Sequence, residues 1–176
     1  MRVRRATAAD AAACAEIYRP YVLDTAITFE TDVPEAAEMA ARIVKTLAMH
    51  EWLVLEADGK ILGYAYAQQF NPRAAYRWAV ETSIYLAQDV RRAGGGRLLY
   101  AELLHRLAER GFRQAFAGIA QPNEASNALH AAFGFAPAGY YRRVGWKLDA
   151  WHDVEWWQLD LLGPDAEAAP PRPIAT

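Results

Sequence analysis

Cysteine is almost absent: Cys14 is the only one in 176 residues, so no disulfide can form within the chain. Long apolar runs are missing too. None approaches the roughly 18 residues needed to cross a bilayer, which excludes a membrane-spanning helix. The opening segment MRVRRATAADAAACAEIY has no apolar core of the secretory kind, and the expected compartment is the cytoplasm. Nor is there an excess of basic charge. Nineteen Lys and Arg against 21 Asp and Glu leave a formal charge of −2, which gives no electrostatic footprint for nucleic acid or an anionic membrane. The four histidines, His50, His105, His130 and His152, stand without ligand spacing, so no metal site is expected. These absences leave a small molecule or a protein as the partner.

What is present is a chain with 53% hydrophobic residues, enough for one domain with its own core. Residues 1–162 are expected to form it. Residues 163–176, rich in Pro and Ala, have too little apolar content to fold alone and are expected to be disordered or draped on the surface. RVRR reads as a first strand, and Thr7 with Asp10 has the spacing of a capping box that opens a helix. Ala13, Cys14, Ile17, Tyr18 and Tyr21 then lie at helical spacing. Pro34 reads as the start of a second helix with Met39, Ile43 and Leu47 on its buried face. WLVLEA and ILGYAYAQQ are strands joined by Asp58-Gly59, a hairpin turn signal. AVETSIYLA is a fourth strand. A helix follows with Leu99, Tyr100, Leu103, Leu104 and Leu107 on one face. QAFAGIA, a helix over NEASNALHAAF, AGYYRRV and VEWWQLDL complete a mixed α/β order with helices on both faces of the sheet. WHDV is read as the turn of the closing hairpin.

Three consecutive glycines, Gly94 to Gly96, separate the fourth strand from the next helix. Each costs about 1 kcal/mol relative to alanine inside a helix, so their presence needs a reason. A strand, a glycine turn and a helix start bring unpaired N–H groups and the positive end of a helix dipole together, and Arg91, Arg92 and Arg97 stand beside them. That combination suits an anion such as phosphate. Neither the dinucleotide fingerprint nor the nucleotide P-loop pattern is present. What stands there is R-x-x-G-x-G, which by itself fits a ligandless turn equally well.

RRAGGG followed by PNEASNALHAAFGF resembles the acyl-coenzyme A signature of the GNAT superfamily of N-acetyltransferases. Together with TAITFETD, GYAYAQQF, PRAAY, VETSIYL and WHDVEWWQLDL, it is similar to the phosphinothricin N-acetyltransferase family within it, from about Arg4 to Leu161. The resemblance implies a twisted, mostly antiparallel sheet whose fourth and fifth strands splay apart. It also implies acetyl-CoA as co-substrate, a small amino-acid-like amine as acceptor, direct transfer without an acetylated enzyme, and a homodimer.

The same resemblance implies roles for particular residues. Gly94, Gly95, Gly96, Arg91, Arg92 and Arg97 would hold the pyrophosphate, although Arg92 and Ala93 depart from the usual glycine and basic residue. Ile84, Tyr85 and Leu86 would bind the coenzyme along the splayed strands, with an oxyanion N–H near Ile84 and Tyr85. Asn123 and Ser126 would meet the coenzyme or serve as helix caps. Glu81 would be the general base, although by pattern alone it is a solvent-facing strand glutamate. His130 would be a second base or a proton donor to the thiolate, or else a helix histidine bonded to a backbone carbonyl. Phe29, Arg73 and Tyr76 would form the acceptor pocket, and the TFETD and PRAAY loops suggest that it is small and enclosed.

Asn71 stands where this family usually has Lys or Arg, which weakens the preference expected for a doubly anionic acceptor and admits methionine sulfoximine or sulfone. Lys147 is read as a solvated loop residue, and Trp146, Trp151, Trp156 and Trp157 as core or, more in keeping with a dimer, as interface. Two other readings are an acyl-CoA-binding sensor without activity, disfavoured by Glu81 and PRAAY, and an acetyltransferase for protein N-termini, disfavoured by the enclosed pocket.

Overall fold

The computed structural model describes residues 1–90, 94–163 and 174. The elements in chain order are β1 (Arg2–Arg5), α1 (Ala11–Asp24), α2 (Ala36–Met49), β2 (Trp52–Ala57), β3 (Lys60–Gln69) and β4 (Ala79–Leu86). They continue with α3 (Gly95–Arg110), β5 (Gln114–Gln121), α4 (Glu124–Ala132), β6 (Ala136–Lys147) and β7 (Ala150–Asp160). The seven strands form one sheet in the order β1-β2-β3-β4-β5-β7-β6, antiparallel everywhere except between β4 and β5.

The apolar run in β2 explains why the sheet is covered twice. Trp52, Leu53, Val54 and Leu55 are all buried rather than alternating, the signature of a strand with packing on both faces. Leu53 and Leu55 join α3 through Leu99, Leu103 and Leu107 on one face. Trp52 and Val54 join α1 and α2 through Cys14, Tyr18, Met39 and Ile43 on the other. Asp58 and Gly59 form the β2–β3 turn with φ of 50° and 75°, the positive values a two-residue hairpin turn requires. The Thr7–Asp10 box is also present, with the Thr7 N–H donating to Asp10 Oδ2 at 2.8 Å. It closes a single tight turn ahead of α1, and Arg4 binds both Asp10 oxygens, which ties β1 to that turn.

Three readings are corrected. Pro34 lies before Glu35, the residue that precedes the first helical position of α2. WHDV is not a turn: Trp151 to Val154 lie within β7, and the chain reverses at Leu148 and Asp149, where φ is 50° and 56°. No glycine marks that turn, so it reads as continuing strand. β6 also runs past AGYYRRV to Lys147, across an irregularity at which Arg143 takes φ of 50° and donates its N–H to Asp153 at 2.6 Å. Of the four C-terminal tryptophans, Trp157 is buried in the core, whereas Trp146 and Trp151 are 56% and 58% exposed.

The parallel ladder between β4 and β5 is short. Ala79, Val80 and Glu81 pair with Gln114, Ala115 and Phe116, and beyond that point the two strands part. The fork is closed by a side chain: Thr82 Oγ1 donates to the Phe116 carbonyl at 3.0 Å and lies 2.8 Å from Tyr100 Oη of α3. Thr82 has one hydroxyl proton and the carbonyl can only accept, so Tyr100 donates to Thr82. Both side chains are buried. Thr82→Val should therefore destabilise the fold by about 1–3 kcal/mol, because it strands the Tyr100 hydroxyl in the core and removes the side-chain bond to the Phe116 carbonyl. Adding Tyr100→Phe should recover part of that loss. Urea denaturation of the four proteins of this cycle measures both effects, and additive losses would refute the shared bond.

Candidate active site

The parted strands leave the gap-facing backbone of β4 without a strand partner. Which residues face the gap follows from the bonds at the two ends of the strand. The Ala79 carbonyl accepts from Phe70 and the Ala87 N–H donates to Leu62, both on the β3 side. The Trp78 carbonyl accepts from Arg113 and Gln114 on the β5 side. In an extended strand alternate residues share an edge, so Thr82, Ile84 and Leu86 face the gap and Tyr85 faces β3. The Tyr21 hydroxyl of α1 occupies Leu86, donating to its carbonyl at 2.7 Å and accepting from its N–H at 3.3 Å. Ile84 is the gap-facing residue left between these satisfied positions, which narrows the sequence reading of Ile84 and Tyr85 to one amide. The Tyr85 ring is buried against Tyr18, Tyr21 and Tyr64.

The three glycines have three separate explanations. Gly94 precedes α3 with φ of 77°, a left-handed conformation in which nothing crowds it. A Cβ on Gly95 would lie 2.6 Å from Leu55 Cδ2, and one on Gly96 would lie 3.0 Å from Leu86 Cδ1, so these two let α3 settle on the sheet. The first N–H bonded inside the helix is that of Leu98, to the Gly94 carbonyl at 3.1 Å. The amides of Gly95, Gly96 and Arg97 therefore have no acceptor within α3, and the positive end of its dipole sits at the mouth of the gap. Arg97 is exposed; Arg91 and Arg92 lie outside the described residues.

The far wall of the gap is the start of α4. Asn123 caps the helix, its Oδ1 accepting the Ser126 N–H at 3.2 Å. His130 is buried and its Nδ1 lies 2.7 Å from the Ser126 carbonyl, an acceptor that assigns the ring proton to Nδ1. The ring packs edge-on against Tyr100 at 5.2 Å. Burial pushes its pKa below the ordinary 6.5, against the opposing pull of the Ser126 carbonyl. His130, Ser126, Asn123 and Ile84 line one cavity together.

Glu81 stands at the fork, paired with Gln68 on one side and Phe116 on the other. Burial raises its carboxyl pKa above the usual 4.5, only partly opposed by a long 3.4 Å contact from Gln68 Nε2. Phe70 stacks on Phe116 at 4.2 Å and anchors the 70–78 loop beside it. Arg73 and Tyr76 on that loop are exposed, and the Arg73 side chain has no partner among the described residues. The Asn71 side chain accepts the Arg73 N–H at 3.0 Å, so it shapes the loop.

The 25–33 loop follows α1 and is tied down by side chains from α1, α2 and β6. Tyr18 reaches Thr28 Oγ1 at 2.6 Å and Glu30 at 3.1 Å, and Arg42 holds Glu30 through two bonds of 2.7 and 2.9 Å. Phe29 covers Gly145 so closely that no Cβ would fit there. Lys147 is 6% exposed, with Nζ donating to the Thr28 carbonyl at 2.8 Å, which overturns its reading as a solvated residue. Desolvation lowers its pKa, and Glu30 opposes the shift. Sequence reasoning missed Thr82, Tyr100 and the tie between Glu30 and Arg42, and nothing in the residue pattern marks them. Cys14 is buried with its thiol pushed up to about 12, unsuited to a nucleophile. Among the described residues no group of three or more His, Cys, Asp or Glu could hold a metal, and no helix is long and apolar enough to cross a membrane.

Residues 3–156 match the family model of the acetyltransferase (GNAT) domain. The phosphinothricin N-acetyltransferase of Streptomyces viridochromogenes is 37% identical over 174 residues, covering 99% of this chain and 93% of that protein. The L-methionine sulfoximine/L-methionine sulfone acetyltransferase of Salmonella typhimurium is 33% identical, covering 97% of this chain and 98% of that one. Among solved structures, a GNAT superfamily phosphinothricin acetyltransferase from Sinorhizobium meliloti, in complex with acetyl-CoA, superposes with a TM-score of 0.91. It is 39% identical and the match covers 97% of this chain and 92% of that one.

Burial keeps His130 neutral at pH 7, and the bond to Ser126 places its one ring proton on Nδ1. Its titration midpoint, read from ¹⁵N shifts, should fall below 6.5. Because the unfolded chain then takes up the proton first, His130 withdraws stability as pH drops below 6.5. A midpoint at or above the ordinary value would refute the assignment.

Proposed function

The chain belongs to the GNAT N-acetyltransferases, and we propose that it moves an acetyl group from acetyl-CoA to the amine of an amino-acid-like acceptor of the phosphinothricin or methionine sulfoximine kind. The observation that carries this reading is Glu81 at the fork of β4 and β5, a partly desolvated carboxyl beside a gap with an unpaired amide. The residues present suit acetyl-CoA: the free N–H groups of Gly95, Gly96 and Arg97 fit a diphosphate, and the Ile84 edge fits an amide-bearing arm. When bound, acetyl-CoA supplies an acetyl group activated as a thioester.

The chain's own contribution is to hold and move protons. An acceptor amine is an ammonium at neutral pH and attacks only after losing a proton, which Glu81 takes directly or through one water. Burial strengthens Glu81 as a base because it raises the pKa of its conjugate acid. The Ile84 N–H is preorganised for the charge that develops on the attacked carbonyl oxygen. His130, with its proton on Nδ1, has none on Nε2 to give a leaving thiolate, so an acceptor role suits it better than that of acid. Arg73 is a free cation for the acceptor carboxylate, and Phe29 supplies an apolar wall.

Thiol release from acetyl-CoA should be fast with phosphinothricin, methionine sulfoximine or methionine sulfone. Glu81→Gln should lower kcat/KM by about 10²–10⁴-fold. The same substitution should leave thermal stability at pH 7.5 equal or higher, because it removes a carboxylate that burial disfavours. Full activity in Glu81→Gln, or tight acetyl-CoA binding with no turnover of any amine, would overturn the assignment.

A further inference from the structure

A second concavity opens on the same face of the sheet as Glu81. In β3 and β4, Gln68 pairs with Glu81, Tyr66 with Ser83 and Tyr64 with Tyr85, and Trp52 of β2 pairs with Tyr66. This register puts Glu81, Gln68, Tyr66 and Trp52 on one side of the sheet. From Gln68, whose amide contacts the Glu81 carboxyl, a groove of about 790 Å³ runs outward between β3 and α2. That volume falls in the range that holds a drug-sized ligand of roughly 300–1,000 Å³, far more than one amino-acid side chain needs.

The lining has a definite chemistry. Trp52 and Tyr66 stack at 4.4 Å and form an aromatic floor. Met49 at the end of α2 adds adaptable apolar surface, and Gln68 carries an amide suited to peptide groups. The charged side chains along it are Glu30, Arg42 and Lys45. Glu30 and Arg42 neutralise each other through two hydrogen bonds. Lys45 is exposed and has no hydrogen bond or ion pair among the described residues. The groove therefore ends at Gln68, one side chain from the proposed base, and carries one uncompensated positive charge on its wall.

We propose that this groove takes the tail of the acceptor, and that the chain acetylates short peptides whose N-terminal amine lies at Glu81 and whose acidic tail lies against Lys45. The inference rests on the acetyltransfer reading above and extends its acceptor from a single amino acid to a di- or tripeptide. The transfer is unchanged: the N–C bond to acetyl forms, the C–S bond breaks, and the amine proton leaves through Glu81 to solvent. Tail charge then sets the preference, since a mobile anion near Lys45 is attracted and a cation repelled.

The test uses acetyl-CoA with L-methionine and the dipeptides Met-Ala, Met-Asp and Met-Lys as acceptors. The order of kcat/KM should be Met-Asp, then Met-Ala, then Met-Lys, with Met-Asp above methionine itself. Lys45→Glu should invert Met-Asp and Met-Lys, and Lys45→Gln should bring them together, with the original gap of about fivefold set by one exposed charge. The gap should narrow in 1 M salt. A change of charge order is not something a mere loss of folding produces. Turnover of methionine with no dipeptide accepted, or a charge order unchanged by Lys45→Glu, would overturn the peptide inference and leave the acetyltransfer reading standing. Silence on all four amines and on the amino-acid analogues would overturn both.

Discussion

The hydroxyl of Thr82 is the contact on which the rest of the arrangement depends. Two neighbouring strands in the middle of a sheet normally pair along their whole length, because buried N–H and C=O groups left unmatched are costly. Here β4 and β5 pair over three residues and then separate. Thr82 satisfies the Phe116 carbonyl at the fork, Tyr100 satisfies Thr82 from α3, and the Tyr21 hydroxyl satisfies both backbone groups of Leu86 at the open end. The gap is thus bounded at both ends by hydroxyl groups from flanking helices. Ile84 lies between them with its edge unoccupied, so the unpaired backbone is confined to a short stretch rather than spread over the sheet.

From that fork the remaining geometry follows. The last paired residue of β4 is Glu81, so the carboxylate sits where the strands diverge. The strand leads toward α3, whose free amides open at the mouth of the same gap, and β5 leads into α4, whose Asn123 and His130 form the opposite wall. The cavity past the fork thus collects Ile84 of β4 and Asn123, Ser126 and His130 of the α4 segment, far apart in sequence, with the Glu81 carboxyl at the fork itself.

Local chemistry made much of the fold legible. The Asp58-Gly59 turn, the Thr7–Asp10 box and the helical faces of α2 and α3 are all short-range patterns with short-range causes. The closing hairpin was not legible, because Leu148 and Asp149 adopt positive φ without the Gly or Asn that signals it. In the site, Glu81 and the glycines carry motifs, yet the motif does not announce that Gly95 and Gly96 also let the helix pack against Leu55 and Leu86. Thr82 reads as an ordinary β-branched strand residue, and its partners Tyr100 and Phe116 lie 18 and 34 positions away. Lys147 is 119 positions from Thr28, so no local pattern could have removed it from solvent.

Glu81 and Lys147 are two charged side chains whose burial is destabilising. Both are shifted mainly by desolvation and in opposite senses, the carboxyl upward and the ammonium downward. For Glu81 the unfolded chain releases its proton first, so stability falls as pH rises from 4.5 through the folded value and stays lower at neutral pH. For Lys147 the unfolded chain binds the proton more tightly, so the native state is again disfavoured wherever the ammonium is charged. A hydrophobic residue at either position would relieve that strain. At Glu81 the same desolvation makes the carboxylate a stronger base, and at Lys147 it joins the end of β6 to the loop that bears Phe29 and Glu30. The bonds of Arg42 and Tyr18 to Glu30 offset part of the cost from the other side of that loop.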